Sequence, residues 1–214
     1  MTAPLKLLVE GKTDGIVIRG LMMRHGYRWN AGPGSSAEVI SHDGVEDLLR
    51  ALGSHLKDRG TQRLGVVLDA GERPSDRWKA LSQRAAQAGV SLPPLPDAQG
   101  TVAEGLFPES KFGVWVMPNN QLPGELEHFL LGLIPSDDPC KQFASEVARA
   151  AREKYVDRGC PEDKHVKSHI HTWLAWQRLP GLPFGTALNQ SLLGHDTAIA
   201  LAFRDWFLRL FPQQ

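Results

Sequence analysis

Two carboxylates stand where the chain leaves short apolar runs: Glu10 after Leu5-Lys6-Leu7-Leu8-Val9, and Asp69 after Leu64-Gly65-Val66-Val67-Leu68. Taken singly, an acid in such a place is most simply a turn residue or a helix cap. Brought together in one crevice, the two are hard oxygen ligands of the kind Mg²⁺ prefers, completed by waters and substrate phosphate. Such an ion polarises a phosphoryl oxygen and generates hydroxide for in-line attack. Lys12 and Lys111 are point charges suited to a phosphate, although surface lysines need no such role. His165 and His169 fall at i, i+4 with His171 close by, a spacing compatible with zinc. The glutamate of the metalloprotease motif is absent, and ordinary helix-surface histidines explain the pattern equally well.

The elements that must position these groups follow from the apolar pattern. Leu5 to Val9 reads as a buried strand closed by Glu10-Gly11. Thr13 can cap a helix that runs to about His25, with Val17, Ile18, Leu21 and Met22 inward and Gly26 as terminator. After a Gly/Ser/Pro-rich loop from Asn30 to Ser36, Ala37 to Ile40 reads as a second strand. Asp43 can cap the next helix, whose stripe is Val45, Leu48, Leu49, Leu52 and Leu56, with Gly60 as its stop. Leu64 to Leu68 is a third buried strand, and a helix with Trp78, Leu81 and Ala85 inward follows from about Ser75 to Gly89. This alternation predicts a doubly wound α/β domain with a mainly parallel sheet. In such sheets ligands bind outside the carboxyl ends of the strands, where Glu10 and Asp69 both fall.

Pro93, Pro94 and Pro96 exclude helix, and Thr101 to Leu106 with Lys111 to Met117 form a candidate strand pair. From Gly124 a helix carries Leu126, Phe129, Leu130 and Leu133 on one face, with Glu125, Glu127 and His128 near its start. After Pro135 only helices are expected, over Cys140–Asp157, Asp163–Gln177 and Asp196–Phe211. The aromatic residues concentrated there, Trp173, Trp176, Phe203, Trp206, Phe207 and Phe211, suit core packing. The expected organisation is an α/β core over residues 1–135 and a helical C-terminal subdomain over 136–214 packed on it.

Composition narrows the class. Lys plus Arg and Asp plus Glu both total 24, so any phosphate contact must come from a local patch rather than a global field. Lys164, Lys167, His165 and His169 offer one such face, diluted by Glu162 and Asp163. Cys140 and Cys160 are too few for a disulfide framework. With no signal peptide before the first strand and no apolar run of about 18 residues, a cytoplasmic protein without a membrane span is expected.

The segment Val9-Glu10-Gly11-Lys12-Thr13-Asp14 resembles the first Toprim motif, shared by topoisomerases, bacterial primases and nucleases of the overcoming-lysogenization-defect type. Leu68-Asp69-Ala70-Gly71 sits where that family places Asp-x-Asp. Across nearly the whole chain the sequence resembles a bacterial Toprim-like family of unknown function, of DUF3226 type. The matching segments include Gly113-Val114-Trp115-Val116-Met117-Pro118-Asn119-Asn120, then Pro123-Gly124-Glu125-Leu126-Glu127-His128-Phe129-Leu130. Ile170 to Gln177 and Pro180-Gly181-Leu182-Pro183 fit it too.

What the resemblance implies is a Toprim-like core and phosphodiester chemistry with Mg²⁺ or Mn²⁺, a transfer by analogy. Glu10 maps onto a metal ligand or acid/base, Asp69 onto the first Asp of the second motif, and Glu127 onto a third ligand at the start of the later helix. DNA or RNA is the implied substrate, and an ABC-like ATPase in phage defence or nucleic-acid repair the implied partner. Two departures remove charge: Gly71 stands at the second Asp, with only Glu72 or Asp76 to replace it, and Asn119 stands where close relatives often carry Asp. They favour a single or weaker metal, or the rival reading, a non-catalytic module that binds a protein or nucleotide. A small phosphate ester is a third candidate substrate. With only Tyr27 and Tyr155 as candidate nucleophiles and little room for a strand-passage gate, a topoisomerase is not expected. Primase activity would need a zinc module and a further catalytic domain.

Overall fold

The computed structural model describes residues 5–29, 36–155 and 164–213. Six elements alternate: β1 (Leu5–Val9), α1 (Lys12–Arg24), β2 (Ala37–Ser41), α2 (Val45–Leu56), β3 (Arg63–Asp69) and α3 (Pro74–Gln87). Then come β4 (Thr101–Glu104), β5 (Lys111–Met117) and the helices α4 (Leu126–Leu133), α5 (Pro139–Lys154), α6 (His165–Ala175), α7 (Phe184–Asn189) and α8 (Ala198–Leu210). Most of the loop expected over 30–36, Cys160, Glu162, Asp163 and the end of the helix expected over 140–157 lie outside the described residues.

The sheet has five strands in the order β2-β1-β3-β5-β4. β1 pairs in parallel with β2 and β3, and β3 with β5, whereas β4 closes the edge antiparallel to β5. The doubly wound, mainly parallel α/β fold expected from the alternation is therefore present. Both faces are covered, as parallel sheets require. Leu8, Val66, Leu68, Val114 and Val116 point toward α2 and α3, where Leu52, Trp78 and Leu81 complete one core. Leu7, Val9, Val67, Trp115 and Met117 point the other way, into a second core shared with α1, α4 and the helices after Pro135. Trp173, Phe203, Trp206, Phe207 and Phe211 all lie in that second core, as their spacing predicts, but Trp176, expected with them, follows the last turn of α6 and is exposed, its ring beside that of Phe143.

α8 reaches the sheet because two glycines are aligned beneath it. Gly65 and Gly113 are opposite each other in the β3–β5 register. A Cβ at Gly113 would collide with Leu210 Cδ2, and one at Gly65 would stand 3.1 Å from the same atom. Gly113→Ala is therefore expected to destabilise the protein by about 1–3 kcal/mol through overpacking, seen as a lowered midpoint in urea with an unchanged slope.

Local details differ from the sequence reading where glycine replaces a polar cap. α1 starts at Lys12 with Gly11 as its N-cap rather than Thr13, and α2 has Gly44 rather than Asp43. A Cβ at Gly11 would lie 3.1 Å from Asp14 Oδ2, so glycine makes room for a carboxylate that folds back over the helix start. α7 was not anticipated, since six residues between Pro183 and Gln190 carry too short a stripe to read. Among the described residues no helix is long and apolar enough to cross a membrane.

Candidate functional site

The parallel pairing of β1 with β3 sets Val9 opposite Val67, so the residues leaving both strands emerge side by side at the carboxyl edge. From β1 the chain turns to β2 on one side, while β3 lies on the other; this is the topological switch point at which such sheets bind ligands. Glu10 and Asp69 meet there. Glu10 Oε1 accepts a hydrogen bond of 2.8 Å from the Asp69 backbone N–H. One side chain thus ties the two loops together and orients the second acid.

Three further acids join them. Asp14, in the first turn of α1 and named in the sequence only as the end of the motif-like segment from Val9, is buried. Glu125 and Glu127 come from the start of α4, and Glu127 is also buried. The Glu125 backbone N–H donates to His128 Nδ1 at 3.1 Å, fixing that turn. Asp14, Asp69, Glu125 and Glu127 wall a cleft of about 460 Å³, closed on the far side by Lys167 and His171 of α6 and by Phe184.

Crowding of like charges is visible in the protonation of these groups. Burial pushes the Asp69 carboxyl up to about 8, with repulsion from Glu10, Asp14, Glu125 and Glu127 adding to it. Asp14 is raised to about 6, again by burial first and then by Glu127, against hydrogen bonds from its own amide and that of Gly11. Glu10 is raised by burial, while the Asp69 amide and Arg77 pull it down. Asp69 Oδ1 is buried, and no donor among the described residues reaches it.

An orphaned carboxylate oxygen amid repelling acids fits a divalent cation, which would supply the missing positive charge. Among the described residues no three His, Cys, Asp or Glu side chains already converge as a cage. A Mg²⁺ ion held by one or two carboxylates with waters does not require one.

The sequence-derived candidates divide. Glu10 and Asp69 are in contact, and Glu127 lines the same cleft as Asp69. Lys12 is exposed on the first residue of α1 and is not part of the cleft wall; the lysine that is part of it is Lys167. Lys111 Nζ is paired with Glu104 near the opposite end of β5. Gly71 adopts φ +66° and exchanges two hydrogen bonds of 2.9 Å with Gly124, which joins the loop after β3 to the loop before α4. Asn119 Oδ1 accepts from the Leu122 backbone N–H at 2.9 Å, a turn function that Asp would serve equally.

α6 neutralises part of the acidic wall. Lys167 Nζ lies 3.3 Å from Glu127 Oε1, and Lys164 Nζ 3.5 Å from Glu125 Oε1. Both lysines are half-exposed, so these pairs are modest in energy. Lys167→Gln is expected to tighten Mn²⁺ binding roughly two- to fivefold by removing a competing cation, a change that a calorimetric titration would resolve. Of the histidines, His169 Nε2–H donates to the Lys141 carbonyl at 2.8 Å, and the His171 ring lies tilted against Phe184 with centroids 5.1 Å apart.

The fold and the site together define an α/β protein with an acid-walled crevice at the switch point of its sheet. The chain belongs to the DUF3226 family, described as proteins of unknown function, whose model matches residues 4–212. No curated protein and no solved structure matches it.

Proposed function

We propose that the chain is a Toprim-like, Mg²⁺- or Mn²⁺-dependent phosphodiesterase acting on nucleic acid, with Asp69, Glu10 and Glu127 around the ion. The observation that carries this reading is the Asp69 carboxylate, with one oxygen buried and unpartnered beside Glu10 at the switch point. The ion would polarise the phosphoryl oxygen and the attacking water. Glu10, whose carboxyl is raised by burial and whose Oε1 accepts the Asp69 N–H, would take a proton from that water. Neutral net charge suits a subunit whose affinity for nucleic acid comes largely from a partner, and the ABC-like ATPase suggested by the Toprim resemblance is the partner we propose.

Gly71 and Asn119, uncharged residues at two places where the resemblance expects acids, favour a second reading, a Toprim-fold module that binds a protein or nucleotide without catalysis. Incubating the protein with single- and double-stranded DNA and RNA, in Mg²⁺ or Mn²⁺, beside Glu10→Gln, separates the two. Metal-dependent cleavage lost in Glu10→Gln supports the phosphodiesterase. Metal binding without cleavage of any of the four polymers favours the module.

A further inference from the structure

Arg77, on the first turns of α3, has a cation's charge beside the crevice and nothing to spend it on. Its guanidinium makes no hydrogen bond or ion pair among the described residues, and Nε is buried without an acceptor. Neighbouring arginines are used differently: Arg73 pairs with Asp76 on the surface at 3.7 Å. Arg77 instead turns toward the loop after β3, where its Nη2 would stand 3.6 Å from a Cβ built at Gly71. It also lies near enough to Glu10 to draw that carboxyl downward.

Two buried polar atoms of opposite kind therefore belong to residues that act on Glu10, Asp69 through its backbone N–H and Arg77 through its charge. Among the described residues Asp69 Oδ1 is an acceptor without a donor, and Arg77 Nε is a donor without an acceptor. They do not satisfy each other. A buried polar atom left unpaired is costly, so a ligand that satisfies both is favoured. A cation alone serves only Asp69, and an anion alone serves only Arg77. A phosphate group carried beside a divalent ion serves both, and guanidinium is the side chain whose planar donors match phosphate oxygens two at a time.

We infer that Arg77 is the phosphate-binding residue of this crevice, holding the phosphoryl group of the substrate against the metal on the Glu10–Asp69 side. The position of Gly71 agrees with this role. A carboxylate side chain there would be directed at the guanidinium and would occupy it, whereas glycine leaves its donors open. Lys167 is the less suitable candidate because its charge is already engaged by Glu127 at 3.3 Å. The inference rests on the reading of the crevice as a cation site, so its test includes measurements that stand without that reading.

Wild type, Arg77→Gln and Arg77→Lys are titrated with Mn²⁺ alone and with inorganic phosphate, the latter both with and without Mn²⁺. Arg77→Gln is expected to weaken phosphate binding at least tenfold while leaving Mn²⁺ binding as tight as in wild type or tighter, because a cation has been removed from beside Glu10. Arg77→Lys should recover part of the phosphate affinity. Phosphate binding by Arg77→Gln within twofold of wild type would overturn the assignment and leave the metal reading untouched. Loss of phosphate and Mn²⁺ binding together would also overturn it, since that marks a residue that merely holds the loop. If wild type binds no Mn²⁺, the metal reading fails, and phosphate binding that still depends on Arg77 upholds the residue's role.

Discussion

Replacing Asp69 by Asn is expected to stabilise the metal-free protein at pH 8.5 by on the order of 2–4 kcal/mol, raising Tm by roughly 4–16 °C, and to leave it unchanged near pH 3.5. The folded carboxyl is held at about 8 against an ordinary value of 3.8. Between these values the unfolded chain has released a proton that the folded chain keeps. The unfolded state then binds fewer protons, so stability falls as pH rises through this window and the loss is complete above about pH 8. Asp14, at about 6, adds a smaller loss of the same sign over the lower part of the window.

Asn mimics the protonated acid in shape and removes the penalty. The expected gain is smaller than the full shift would give because hydration and side-chain movement soften a buried charge. Thermal melts in EDTA across this pH range test it. A variant that is less stable than wild type at every pH would show that the Asp69 carboxylate contributes to the fold in a way its orphaned oxygen does not suggest. Added Mn²⁺ should offset the alkaline loss in wild type and do little for the variant, since metal binding and deprotonation are linked.

Glu10→Gln is expected to abolish metal-dependent cleavage, by roughly 100-fold or more, without unfolding the protein. Gln retains an Oε1 that accepts the Asp69 N–H, so the 2.8 Å contact between the two loops survives. What disappears is a negative charge in a buried setting. Removing it relieves repulsion with Asp14 and Asp69, and Tm in EDTA should hold or rise. Separating the two readouts is the strength of this variant: lost cleavage with intact stability assigns the charge to chemistry, while lost stability would assign it to structure.

The fold was legible because its signals are local. Buried strands such as Leu64 to Leu68 read as unbroken apolar runs, and the stripe from Val45 to Leu56 repeats at helical spacing. Glu10 and Asp69 could be placed together because strand ends in a parallel sheet share one edge. Asp14 escaped notice for the opposite reason: an acid in a first turn is adequately explained by the helix dipole, and only the fold shows it buried against Glu127. Lys167 and His171 reach the cleft through the docking of α6, which no local pattern specifies. Arg77 reads as one more charge on the outer face of α3. Its orientation toward Gly71 depends on a left-handed glycine turn whose partner, Gly124, lies far along the chain.

On the proposed reading, the crevice at the ends of β1 and β3 takes a divalent cation at the expense of a proton. Titrating Mn²⁺ into wild type and Asp69→Asn at pH 7.5, in two buffers of different ionisation enthalpy, tests it most directly. Saturable binding to wild type with release of about one proton per ion is expected, and binding much weakened and without proton release in Asp69→Asn. An isotherm with no saturable heat at millimolar Mn²⁺, or one identical in the two proteins, would contradict it.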